Sequence, residues 1–153
     1  MVIAVDTGNR CIKTAHADPF SAGLNRHFDA KPFIATDTLF YDGQYYTFSE
    51  TQGGRREDKS IDDYYFMLTL AAIAREIALA GEKISFSQAM REANRAKASY
   101  KEDIYLSVGL PPRDMVAGGS VIRGDKSMTT RYKEYFLRNG ERLVFKYNNM
   151  SFD

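Results

Sequence analysis

The sequence predicts an α/β domain built on a mixed sheet. Three observations carry that prediction. A short β-branched run, Val2-Ile3-Ala4-Val5, ends in Asp6 and turns at Gly8. Two aromatic, β-prone runs flank Asp42-Gly43. A long stretch over residues 64–79 is apolar nearly all round, and a further strand-like run follows it at 103–108. Hairpin, strands, long helix, helix and strand in that order fit an α/β arrangement.

Each element has its local reason. Residues 2–6 hold four apolar residues without alternation, which predicts a buried strand. Residues 11–17 read as its hairpin partner. Pro19, Gly23 and Pro32 interrupt residues 18–38, which are expected to be mostly irregular, with one short strand near 33–34. Residues 39–41 and 44–48 around Asp42-Gly43 form a strong hairpin signal. Polar residues 51–59 read as a loop. Ser60 is placed to cap the long helix, with Asp63 completing a capping-box-like pair and Asp62 and Asp63 suiting the positive helix end. Gly81 reads as its stop. Ser87 is placed to cap a second helix through Ala98, with Phe86, Met90 and Ala93 on one face. The strand at 103–108 ends before Pro111-Pro112, which cannot donate to a ladder. Gly118, Gly119 and Gly124 mark residues 113–129 as a mobile loop. Residues 130–137 fit a short helix or a strand about equally. Residues 142–147 alternate as a strand, Asn148-Asn149 turns it, and residues 150–153 begin another element.

The bulk numbers bound the function. The chain has 153 residues, enough for one domain with a real core. Its 21 basic and 20 acidic residues give a net charge of +1, which argues against a dedicated nucleic-acid or membrane-surface binder. Cys11 is the single cysteine, so no intrachain disulfide is possible and a reducing cytoplasm is expected. Asp6 and Arg10 interrupt the first apolar run, so no signal peptide is read there. No uncharged apolar stretch reaches the ~20 residues of a membrane span. His16 and His27 have no metal-like spacing to each other or to Cys11.

The chemistry-bearing pattern is Asp6-Thr7-Gly8-Asn9 followed by Lys13. Gly8 lets the backbone approach an anion, Lys13 neutralises it, and Asp6 at a strand end can orient a metal-bound water. The plain alternative is an ordinary hairpin turn with a solvated lysine. Elsewhere the structural readings are favoured. Tyr41, Tyr45, Tyr46, Tyr64 and Tyr65 read as cross-strand pairs and core edges rather than a stacking surface. Arg55, Arg56 and Lys59 read as a solvated loop rather than a filament or adaptor contact. Cys11 reads as a small buried residue rather than a nucleophile.

Asp6-Thr7-Gly8-Asn9 with Lys13 resembles the first phosphate loop of the actin, sugar-kinase and heat-shock-chaperone superfamily. Three further segments are similar to bacterial actin-like proteins of the plasmid-segregation (ParM/StbA) type. They are Phe40-Tyr41-Asp42-Gly43-Gln44-Tyr45-Tyr46 with Glu50, then Asp58-Lys59 leading into residues 65–74, then the strand at 104–108 running into Gly109-Leu110-Pro111. The resemblance covers nearly the whole chain in the same order. It implies a ribonuclease-H-like α/β fold, the first subdomain of an actin-like ATPase. It also implies a nucleotide site in which Asp6, Thr7, Gly8, Asn9 and Lys13 hold ATP or GTP, with Mg²⁺ held by Asp6 through water. Gly8 and Asn9 would meet the phosphates by their backbone amides, Asn9 adding its side chain, and Lys13 would act as a point charge.

The intact protein is then expected to be a cytoplasmic, filament-forming ATPase for plasmid segregation. A DNA-adaptor protein is a possible partner, with no direct nucleic-acid or membrane contact. The chain departs from that pattern in three ways. It holds no second Asp-x-Gly-x-Thr after Gly109, residues 83–101 are longer and richer in alanine, and Arg10 is bulky for such a turn. Residues 1–153 therefore read as a single N-terminal domain, half of a two-domain protein, expected to bind nucleotide weakly or not at all and to lack hydrolysis. The alternatives are a stand-alone, non-catalytic self-association module and half of a sugar-kinase-like phosphotransferase.

Overall fold

A computed structural model of the chain describes residues 1–27, 30–32, 37–49, 63–80, 86–96, 99–101, 103–109, 122–123, 126–127 and 142–153. Its first sheet is laid down by the N-terminal hairpin. Strand β1 (Val2–Thr7) is antiparallel to β2 (Cys11–Lys13), and β2 is antiparallel to β3 (Phe20–Ser21). On its other side β1 pairs in parallel with β8 (Tyr105–Gly109), giving the order β3-β2-β1-β8.

The second sheet is built from β4 (Gly23–His27), β5 (Thr38–Tyr41), β6 (Gln44–Ser49), β7 (Ser99–Tyr100), β11 (Phe145–Tyr147) and β12 (Met150–Phe152). Its order is β4-β6-β5-β11-β12-β7. Two tight turns set its register. Asp42 and Gly43 have φ of 49° and 76°, the positive pair that a two-residue hairpin with matching twist requires. Asn148, at φ 53°, turns β11 into β12 so that Tyr147 faces Met150. Both turns fall where the sequence predicts them.

Helix α1 (Tyr64–Leu79) covers the apolar run that the sequence reads as a long helix, and every residue from Tyr65 onward is buried. It packs on β1, β2 and β11 and on the second helix described below. An apolar surface all round is the pattern of a helix with no solvent face. The start differs in detail. Asp63 itself occupies the N-cap position without a side-chain bond, its carbonyl accepting from the Met67 N–H at 2.9 Å. Ser60, Asp62 and Gly81 lie outside the described residues. Helix α2 (Phe86–Ala96) begins one residue before Ser87, so Ser87 lies within the helix rather than capping it, and Phe86 and Ala89 bury against the core.

Three expectations are corrected. Residues 2–6 are not buried throughout: burial alternates along β1, and Val2 is 77% exposed. Only one face of β1 meets the helix, and successive side chains point to opposite faces. Residues 18–38 hold two strands where no strand is expected, β3 and β4. Strand β4 is nearly patternless in sequence and forms by pairing along β6, from Gly23 opposite Ser49 to His27 opposite Tyr45. The strand read at 33–34 falls outside the described residues. Residues 113–129 contain a small antiparallel pair, β9 (Ile122–Arg123) with β10 (Lys126–Ser127). The loop read at 51–59 and the ambiguous 130–137 also lie outside the described residues.

A buried arginine ties the layers together. The Arg75 guanidinium lies 4.2 Å from the Phe20 ring centroid and 4.6 Å from that of Phe86. It reaches Asp37 at 2.9 Å and donates to the Tyr147 hydroxyl at 3.1 Å. Phe20 belongs to the first sheet and Tyr147 to the second, so one side chain of α1 bridges both. Beyond it, Phe145, Phe152 and Tyr100 stack in series across β11, β12 and β7, at 5.0 and 5.3 Å between centroids.

Candidate functional site

The site is built on the exposed face of the first sheet. Asp6 stands opposite Lys13 on β2 and opposite Gly109 on β8. All three are exposed and form one row across three strands. Alternation along β1 dictates this, since the positions that bury Ile3, Val5 and Thr7 must turn Asp6 the other way. The row lies at the carboxyl ends of the parallel pair β1 and β8, where open α/β sheets take their ligands. A Cβ at Gly109 would lie in van der Waals contact with Asp6 Oδ1, at 3.8 Å.

The other residues of the turn are held from behind. Thr7 is fully buried, and its hydroxyl donates to the Gly109 carbonyl at 3.3 Å, tying β1 to β8. Its side chain therefore faces the core. Gly8 is required by the hairpin itself, because an added Cβ would sit 2.7 Å from the Cys11 carbonyl oxygen. Asn9 is half-buried, and its Oδ1 accepts from the Tyr65 hydroxyl at 2.7 Å. The Arg10 carbonyl accepts from the Ala22 N–H at 3.0 Å, while the Arg10 side chain is exposed. Tyr64 completes this end, accepting from the Leu24 N–H at 3.1 Å and donating to the Ala22 carbonyl.

Helix α1 holds the other end of the hairpin through Glu76. Its Oε1 accepts from the backbone N–H groups of His16 and Ala17 at 2.7 and 2.8 Å, and Oε2 lies 2.8 Å from His16 Nδ1. Burial alone would raise the Glu76 pKa, but hydrogen bonds from the Thr14 hydroxyl, the Ala17 N–H and His16 together hold it below the ordinary carboxylate value. Tyr65 and Glu76 are eleven residues apart, about 16 Å along a helix axis. They hold the turn of the hairpin and the segment just after Lys13.

The structure thus brings Asp6 and Lys13 together with Gly109 and puts Gly8 and Asn9 at the turn beside them. Sequence reasoning missed Tyr65 and Glu76 as supports of the turn. Glu76 was detectable, with Arg75 beside it, as a charge inside an apolar helix. The tyrosines Tyr41, Tyr46 and Tyr65 are buried, as the core reading expects. Cys11 is half-buried at the start of β2, with no histidine assigned to it: His16 binds Glu76, and His27 Nε2 lies 2.7 Å from the Thr47 hydroxyl. Among the described residues no three of His, Cys, Asp and Glu gather into a metal cluster. Glu50, Arg55, Arg56, Asp58, Lys59, Gly118, Gly119 and Gly124 lie outside the described residues.

No protein-family model matches the chain, and no curated protein matches it. Among solved structures it is similar to a crystal structure of the apo ParM protein of pSK41, with a TM-score of 0.52 and 8% sequence identity. The match covers 99% of this chain and 46% of that one, so the chain spans about half the length of the structure it resembles. At this identity the likeness is one of fold. Mixed sheets around a central helix, together with that neighbour, agree with an actin-like, ribonuclease-H-like α/β class. Among the described residues no helix is long and apolar enough to cross a membrane.

Proposed function

We propose that the chain is the N-terminal half of a bacterial actin-like, filament-forming ATPase that serves plasmid segregation. The observation that carries this reading is the row of Asp6, Lys13 and Gly109 at the carboxyl ends of β1 and β8, beside the turn at Gly8 and Asn9. An acid, a base and open backbone on an exposed sheet end suit a phosphate with its divalent cation. Lys13 would hold the phosphate charge, and the N–H groups of Gly8 and Asn9 would donate to its oxygens. Thr7 would contribute through its backbone, its hydroxyl being engaged by Gly109. Asp6 would hold Mg²⁺ through water, as the resemblance to actin-like proteins implies. The group fits these residues, and Mg²⁺ bound with ATP or GTP would neutralise charge developing on the phosphates.

One hairpin is half of a clamp. A second phosphate loop and a base pocket would come from residues outside this sequence. Each missing charge-assisted contact removes about 1–3 kcal/mol, so the 153-residue chain binds Mg·ATP weakly and does not hydrolyse it. Calorimetry checks this, and a sub-micromolar Kd sinks it. In a two-domain protein, light scattering on adding nucleotide reports filaments, and Asp6→Ala slows turnover strongly without unfolding. Unchanged turnover in a folded Asp6→Ala protein removes Asp6 from the mechanism.

A second reading, nucleotide-independent self-association, draws on a separate observation. Val2 and Tyr105 are paired in register and are 77% and 76% exposed on the same sheet face. Parallel strands are ordinarily covered on both faces.

A further inference from the structure

We propose that Tyr65 is a positioning residue for the anion site. Its phenol holds the Asn9 side-chain amide by the oxygen and so turns the Nδ2 donors toward the bound phosphate. This rests on the phosphate-binding reading of the hairpin and deepens it.

A primary amide has an acceptor end and a donor end. A phosphate is served only by the donor end, and an unrestrained asparagine presents either. Here the Tyr65 hydroxyl donates to Oδ1 at 2.7 Å, which leaves Nδ2 as the end directed away from the phenol. Tyr65 is 2% exposed, and its ring packs edge-on against Tyr64 at 5.5 Å. It belongs to a helix buried from that residue onward, so the phenol cannot follow the amide if it turns.

The main chain is fixed as well. Gly8 is closed against the Cys11 carbonyl on one side of Asn9, and the Arg10 carbonyl holds Ala22 on the other. The amide is therefore set before any ligand arrives. Pre-setting one mobile polar side chain in this way is worth about three- to tenfold in affinity.

The test uses the whole 153-residue chain, ¹⁵N-labelled, titrated with inorganic tripolyphosphate and with Mg·ATP while the amides of residues 6–13 are followed. Tyr65→Phe weakens both probes by about three- to tenfold with an otherwise native spectrum. Asn9→Ala weakens them at least as much. The deciding arm is the double variant. If Tyr65 acts through Asn9, Tyr65→Phe has no further effect in the Asn9→Ala background. Equal weakening in both backgrounds reveals general loosening and overturns the proposal, as does an unchanged affinity for Tyr65→Phe.

Should Tyr65→Phe fail to fold, Asn9→Asp replaces it. That variant keeps the acceptor for Tyr65 but exchanges the donors for a negative charge, so it must bind tripolyphosphate more weakly than Asn9→Ala. Equal binding by the two variants rejects the role. A stability cycle on Tyr65→Phe and Asn9→Ala without ligand reads the hydrogen bond alone. Coupling there with no saturable shift from either probe in the wild type means that the bond is purely structural. In that case the hairpin of this chain holds no phosphate by itself, and the positioning role fails.

Discussion

Glu76 and Gly8 are the residues on which the shape of the candidate site turns, and neither has a side chain that touches a ligand in the proposed arrangement. Glu76 satisfies two backbone N–H groups of the segment after Lys13 as well as the His16 ring. Its folded pKa is depressed, because those hydrogen bonds outweigh the burial that opposes them. A depressed carboxyl pKa contributes stability that is present above the unfolded value and lost as pH falls through the folded one. The urea midpoint of the wild type should therefore drop below about pH 4.5 more steeply than that of Glu76→Gln, which has no proton to gain. Parallel pH profiles for the two proteins would remove Glu76 as the source of acid sensitivity. Gly8→Ala places a methyl group against a carbonyl that cannot step aside, since Cys11 is paired in β2. A loss of about 1–3 kcal/mol in chemical denaturation is expected, and a neutral result would show that the turn can relax.

At the scale of elements, α1 is the organiser of the molecule. It has no solvent face, yet carries two adjacent charges. Glu76 reaches back to the hairpin segment after β2, while Arg75 reaches Asp37 and Tyr147. Burial pushes the Tyr147 phenol well above its ordinary pKa, against the opposing pull of the Arg75 charge, so it stays protonated. Arg75→Met keeps much of the packing between Phe20 and Phe86 but removes the positive charge beside the Asp37 carboxylate, leaving it the Tyr147 hydroxyl. Asp37 is only partly covered, so the expected cost is about 2–3 kcal/mol, below that of a fully buried broken pair. Thermal unfolding checks this, and an unchanged midpoint would mean that the aromatic contacts alone hold the layers. That residues 64–79 form a helix was legible, because an all-round apolar run of this length suits a helix buried on every side. Its role as a strut for the hairpin was not. Which charges inside an apolar helix meet which backbone groups depends on residues 60 positions away in the chain.

At the scale of the whole molecule, the first sheet is asymmetric. One face packs on α1, and the other carries Val2, Ala4, Asp6, Tyr105 and Ser107 in the open. An exposed apolar pair on parallel strands is a surface that favours contact. Sedimentation of the isolated chain should show self-association that weakens when Val2→Thr and Tyr105→Thr are combined. The same variant should change folding stability by no more than about 0.5 kcal/mol for each site, as suits surface positions. A monomeric wild type would remove this face as a self-association surface. The candidate site belongs to the same open face, so the two readings of function can be separated by which half of it matters: the charged row at the strand ends or the apolar pair at the strand starts.

The sequence by itself determined the parts governed by neighbours in the chain. These were the apolar first strand, the Asp42-Gly43 hairpin, the turn at Asn148-Asn149, the long helix over residues 64–79 and the placement of Asp6 and Lys13 on either side of one tight turn. Local backbone preference and side-chain periodicity act over a few residues, so they can be read there. Tertiary structure alone decided which face of β1 is covered and that β8 lies beside it in parallel. It also decided that the featureless segment from Gly23 to His27 becomes a strand against β6, and that Tyr65 and Glu76 brace the hairpin from the core. Those outcomes follow from pairing and burial between segments far apart in sequence, whose energy is shared across the contact and is written in neither segment alone.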